Sequence, residues 1–139
     1  MEQRDYLLRQ IQEMGLFLAK LMQRLHKRVE QDEEDQLLAE ARDAFCVQYG
    51  WDLEELLFLD DRSFIGLMDE SLLADEHYET MASVFELLGD HALEHQTLLR
   101  KELYLHKALL LLTYVERKSQ TFSLSRRDRI ARLNVRLNG

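Results

Sequence analysis

From Leu7 to Val29 the chain places an apolar residue every three or four positions: Leu7, Ile11, Met14, Leu18, Leu21, Leu25 and Val29. A helix turns once in 3.6 residues, so this spacing sets all of them along one stripe of a single long helix. A strand, which alternates faces at every residue, would scatter the same side chains over both of its faces. Leu8, Gly15 and Met22 widen the stripe. The helix is predicted over residues 5–30, with Asp5 as its cap and the "EQDEED" run after it as a charged connection. One short helix cannot cover a stripe about seven turns long. It calls for several helices of the same chain, and it leaves room for a homodimer through the N-terminal helix, which Leu16 and Phe17, lying off the stripe, favour slightly.

The remaining residues keep the same bias. Proline is absent, and leucine occurs 29 times against 12 valine, isoleucine and threonine residues together, the reverse of what sheets prefer. The expected fold is all-α, and 139 residues suit one domain able to bury roughly 70% of its unfolded surface. Residues 1–74 form its N-terminal helical part and residues 75–139 a hairpin plus a final helix. Cys46 is the lone cysteine, which leaves no internal disulfide, suits a reducing cytoplasm and suggests a small buried side chain. The charged opening "MEQRDYLLRQ" does not read as an export leader. "ALLLLTYV", from Ala108 to Val115, is far shorter than the roughly 20 residues of a membrane span, so it reads as core or as a second possible homodimer contact.

Between the ends, a second helix is predicted from about Asp35 to Tyr49, with Leu37, Leu38, Ala41, Ala44 and Phe45 inward and Gly50 as a left-handed stop. "WDLEELLFLDDRSFIGLMDE" then reads as a corner of two short helices capped by Asp52 and Ser63, with Trp51, Phe58 and Phe64 as its packing wedge. Beyond Asp75, the residues Tyr78, Met81, Ala82 and Phe85 recur at i, i+3, i+4 and i+7, and "LLGD" follows. Gly89 is placed to end one helix and Asp90 to cap the next, which makes an αα-hairpin.

These residues resemble the large, large, small, large pattern of the first helix of a tetratricopeptide repeat, and Gly89-Asp90 resemble its turn. "LHKALLL" around Ala108 is similar to the repeat's closing "QKAL" segment but comes about two helical turns later, with the same face inward. The closing proline is missing, and the likeness covers one unit, about residues 75–112. Together with the opening "RDYLLRQIQEMGLFLAKLM", the chain is similar to a family of short, uncharacterised bacterial proteins with a tetratricopeptide-like second half. That resemblance implies an all-helical fold in a bacterial cytoplasm and carries over no catalytic residue.

Chemistry has one candidate. His91, Glu94 and His95 spell H-x-x-E-H, which in some zinc peptidases supplies two ligands and a general base. On one helix the two histidines share a face, but the next ligands on that face, Glu102 and His106, lie too far along it: Glu102 is roughly 10 Å beyond His95. A ligand from elsewhere, such as Glu76 or His77 across the hairpin, would have to complete the site, and no motif stands behind one. A metal-dependent hydrolase is therefore the disfavoured alternative, and neither a metal nor a cofactor is expected. No phosphate loop, nucleophile elbow or E-x-x-H pair occurs.

Charge is segregated along the chain. Residues 1–29 carry +3, residues 30–102 carry −17 and residues 103–139 carry +6. The acidic middle disfavours nucleic acid as a partner, although the arginine-rich "SLSRRDRIARLNVRLNG" keeps a nucleic-acid-associated regulator as a second alternative. That segment reads as a helix capped by Ser123 or Ser125. Its stripe Ile130, Leu133 and Leu137, flanked by Arg129, Arg132 and Arg136, is expected to dock on the chain's own acidic middle. In sum the residues point to a non-catalytic protein-interaction module binding an unidentified protein or peptide. The solvent-facing hairpin positions Glu79, Ser83 and Glu86 are the expected contacts.

Overall fold

A computed structural model of the chain describes residues 2–71, 73–92 and 97–138. Among them are seven α-helices and one 3₁₀ turn, and no strand. The first helix, α1 (Glu2–Glu30), begins ahead of Asp5, which therefore lies in the first turn and does not cap it. Leu18, Leu21 and Leu25 are fully buried, whereas Leu7 and Leu8, nearer the start, are about half exposed. Past α1 the chain turns through Asp32 (φ 56°) and the 3₁₀ turn Glu34–Gln36. Arg28 ties this connection together, donating from Nε to Glu40 (2.7 Å) and from Nη1 to Glu33 (2.8 Å) and Gln36.

α2 (Leu37–Tyr49) buries Leu37, Leu38, Ala41, Ala44 and Phe45 and stops at Gly50, whose φ of 69° is the left-handed conformation that favours glycine. Cys46 was expected inside and is exposed, because the next residue after the inward Phe45 is rotated by about 100°. The short-helix corner consists of α3 (Leu53–Phe58), capped by Asp52, and α4 (Asp61–Ser71). Asp60, rather than Ser63, caps α4: its Oδ1 accepts from the Ser63 amide at 2.8 Å. Phe64 is buried and Trp51 stacks on Tyr49 at 4.4 Å, but Phe58 lies outside. α3 buries Leu53, Leu56 and Leu57, which turns Phe58 outward beneath the Arg100 guanidinium.

The hairpin pairs α5 (Asp75–His91) with α6 (Leu98–Lys118). α5 runs straight through Gly89 and Asp90, so neither residue forms the turn as expected. Thr97 caps α6 instead, its hydroxyl accepting from the Arg100 amide at 3.1 Å. The shift from Asp90 to Thr97 equals the delay by which "LHKALLL" trails the repeat pattern, so the extra length lies between the helices and α6 keeps its face. Gly89 serves packing: a Cβ there would stand 3.1 Å from the Tyr104 Cβ. Leu99 is exposed, since it lies two and a half turns before the buried Ala108 and points the opposite way.

Phe85, on α5, is the centre of the core. Its ring lies 6.2 Å from Phe45 of α2, 6.2 Å from Phe64 of α4 and 6.3 Å from Tyr104 of α6. Burying such a ring contributes roughly 1.5–3 kcal/mol, and edge and offset contacts add to that. Half of "ALLLLTYV" is also core, with Ala108, Leu111, Leu112 and Val115 buried. α7 (Leu124–Asn138) follows a short connection and closes the fold. No helix among the described residues is long and apolar enough to cross a membrane.

α1 crosses α5 at a single permissive point. A Cβ on Gly15 would fall 2.1 Å from Nε2 of His77, whose ring is held from behind because its Nδ1 accepts the Ala74 amide (3.3 Å). We expect Gly15→Ala to destabilise the protein by about 1–3 kcal/mol through overpacking. In a His77→Ala background the same change should instead stabilise by up to about 1 kcal/mol, because alanine is the better helix former. Urea unfolding of the four variants measures both signs.

Candidate interaction surface

The face of α5 turned away from the core carries Glu79, Ser83, Glu86 and Asp90 at i, i+4, i+7 and i+11, one row along the helix. The sequence reading left this row in solvent, but α7 lies along it. Arg126 donates from Nη1 to Glu79 Oε1 (3.1 Å) and from Nε to Glu116 Oε2 (2.7 Å), and Arg129 reaches Ser83 Oγ (2.9 Å) and Glu86 Oε1 (3.4 Å) from Nη2. Arg136 grips both carboxylate oxygens of Asp90. The order of these contacts makes α7 parallel to α5 and antiparallel to α6. Glu79, Ser83 and Glu86 are therefore half-buried and already hydrogen-bonded within the chain.

Local sequence accounts for the posture of α7. Ser123, not Ser125, caps it, the hydroxyl accepting from the Arg126 amide at 3.1 Å. Leu133 is buried, and Ile130 and Leu137 pack partly against the core, as their spacing predicts. Arg126 stands in the register of that stripe, one turn before Ile130, and only 5% of it is exposed. Its third contact, from Nη2 to the Thr121 carbonyl at 2.8 Å, locks the connection as well. The flanking arginines alone were singled out from sequence; the signal for Arg126 was a cation sitting on the apolar face itself.

The electrostatics follow from this geometry. The hydrogen bond from Arg126, supported by Arg127 at 3.2 Å, holds the Glu116 carboxyl below its ordinary range. On the far side of the hairpin Arg100 does the same to Glu54, through a two-pronged contact that joins α6 to α3. Three of the arginines that a nucleic-acid reading would assign to phosphates, Arg126, Arg129 and Arg136, are thus directed at carboxylates of this chain.

Among the described residues the histidines lie apart from one another. His91 ends α5, its Nδ1 3.9 Å from Glu34 Oε1, while Glu94 and His95 lie outside the described residues. α5 stops at His91, and α6 starts at Leu98. His77 sits at the opposite end of α5 from His91, roughly 20 Å away along the helix, and packs against α1. Its neighbour Glu76 carries a carboxylate 3.6 Å from the His77 Nε2. His106 faces Asp61 at 2.9 Å, and Glu102 is exposed. No three His, Cys, Asp or Glu side chains converge on one point among the described residues. No protein family, curated protein or solved structure matches the chain.

Two measurements test the docking of α7. Arg126→Ala should cost about 2–3 kcal/mol, because it leaves half-buried carboxylates facing each other, whereas Arg127→Ala, at an exposed pair, should cost less than about 1 kcal/mol. The pH dependence has a definite sign. A carboxylate whose folded value is depressed stabilises fully above its ordinary value, 4.5 for Glu116, and that contribution is lost as pH falls through the lower folded value. Amide protection in α7, taken relative to intrinsic exchange at each pH, should therefore fall below pH 4.5 before protection in α5 does.

Proposed function

We propose that this chain is a non-catalytic protein-interaction module built on a tetratricopeptide-like hairpin, whose α5 row accepts an amphipathic helix carrying arginines. The observation that supports it is α7 itself, which seats three arginines on four successive acceptors of that row. The alternation of α5, α6 and α7, with α7 parallel to α5, is also how a following helix stacks on such a hairpin. In the resting chain α7 holds the row. A partner helix of similar chemistry would compete for it, gaining the same charge-assisted hydrogen bonds while α7 swings away on residues 119–123. The family resemblance adds the proposal of a bacterial cytoplasmic setting.

A peptide spanning residues 123–138, added to a chain ending at residue 122, tests the reading. It should bind more tightly than about 100 µM and weaken severalfold as salt rises to about 1 M, where screening length shrinks to about 3 Å. Glu79→Lys with Glu86→Lys should abolish the binding. Absence of binding by a truncated chain that keeps its helical circular dichroism would refute the reading.

A further inference from the structure

The arginines of α7 are not equivalent in how they hold it. Arg126 commits each of its three nitrogens to a different element: Nη1 to Glu79 of α5 (3.1 Å), Nε to Glu116 of α6 (2.7 Å) and Nη2 to the Thr121 carbonyl of the connection (2.8 Å). Acceptors placed around the edges of a planar guanidinium stand roughly 4 Å from its centre, farther than the about 2.7–3.2 Å over which one nitrogen makes a hydrogen bond. A lysine ammonium at this position would therefore leave part of the set unmet. With only 5% of Arg126 exposed, water is poorly placed to fill the gap.

Arg129 and Arg136 are built differently. One nitrogen of Arg129, Nη2, serves both Ser83 Oγ (2.9 Å) and Glu86 Oε1 (3.4 Å), so a single ammonium can take over both contacts. Its remaining contact, from Nη1 to the Glu79 carbonyl, is long at 3.5 Å. Arg136 meets Asp90 alone, with 38% of its side chain exposed. An exposed pair of this kind asks for a positive charge and little more.

Position along the helix separates them too. Arg126 is the third residue of α7, after the Ser123 cap, and no acidic residue stands in that first turn. A cation there opposes the helix macrodipole, whose positive end is the N-terminus. The anions that offset it come from outside α7, from Glu79 and Glu116. Among the described residues, every ion-pair partner of these two carboxylates is on α7: Arg126 for both, and Arg127, from an exposed position, for Glu116. No cation of the hairpin itself pairs with them there.

We propose that Glu79 and Glu116 form an arginine-specific clamp, which selects for the α5 row a helix bearing arginine, and not lysine, in its first turn. The positions held by Arg129 and Arg136 accept either cation. Within the chain the clamp chooses α7. For a partner helix the same rule names its chemistry, an arginine three residues after a hydroxyl cap and then an apolar stripe, and this clause rests on the interaction reading above.

The test stays within the full chain. Arg126→Lys, Arg129→Lys and Arg136→Lys each keep the charge and nearly the same helix propensity, so they isolate the shape of the cation. Amide protection of α7, taken relative to intrinsic exchange, reads how readily the helix leaves the row. Arg126→Lys should lower it by about tenfold or more, and Arg129→Lys and Arg136→Lys by less than about threefold. In a Glu116→Gln background the effect of Arg126→Lys should shrink by at least about threefold, because the two residues act on one contact. A loss for Arg126→Lys no larger than for the other two variants would overturn the proposal, as would an undiminished effect beside Glu116→Gln. These exchange rates decide the clamp whether or not a partner helix displaces α7, and the peptide experiment above decides that displacement separately.

Discussion

The close approach of α5 to α6 is the contact on which the other helices depend. Gly89 lets the Tyr104 Cβ and the Leu105 side chain press against α5, and Ala82 and Ala108 are small and fully buried. With the pair held this close, Phe85 and Tyr104 reach across it, and Phe45 and Phe64 pack on Phe85 from α2 and α4. α1 can lie down on α5 because Gly15 admits the edge of His77. Close-packed interiors tolerate little volume change, so each of these glycines is a constraint on the whole arrangement rather than a local convenience.

Charge acts at a second level, on the outside of that core. Arg126 is buried against the hairpin's flank, where it meets three acceptors, Glu79, Glu116 and the Thr121 carbonyl. A desolvated guanidinium is tolerable only when it is multiply hydrogen-bonded, which makes this contact specific in position as well as in sign. Lys107 shows the same rule inside the corner: burial pushes its ammonium down from its usual range, and it is retained by the Leu59 carbonyl at 2.7 Å and the face of Phe64.

Much of this was legible from spacing. The long helix, the inward set of α2, the left-handed stop at Gly50 and the buried row Tyr78, Met81, Ala82 and Phe85 all follow from periodicity and cap chemistry, and the structure agrees with them. The docking of the arginine helix on the acidic middle was also foreseen. The errors cluster where one local signal competed with another. Ser63 and Asp60 could both cap α4, and the nearer residue to the apolar run was the wrong choice. Gly89 with Asp90 has the composition of a turn, yet burial against Tyr104 outweighed the glycine's breaking tendency and the helix continued. Residue type alone puts Phe58 and Cys46 inward; helix phase turns them outward.

The sequence by itself determined that this chain is a set of helices, which faces of them are apolar, and where opposite charge is concentrated, because those properties are set by residues within a few turns of one another. Only the tertiary structure decided that α7 lies on the row Glu79, Ser83 and Glu86, and that His77 packs against α1 far from His91. Those relations join residues tens of positions apart, and their geometry depends on how closely α5 and α6 approach and at what phase each neighbouring helix packs. Periodicity names a face; it does not name what that face will meet.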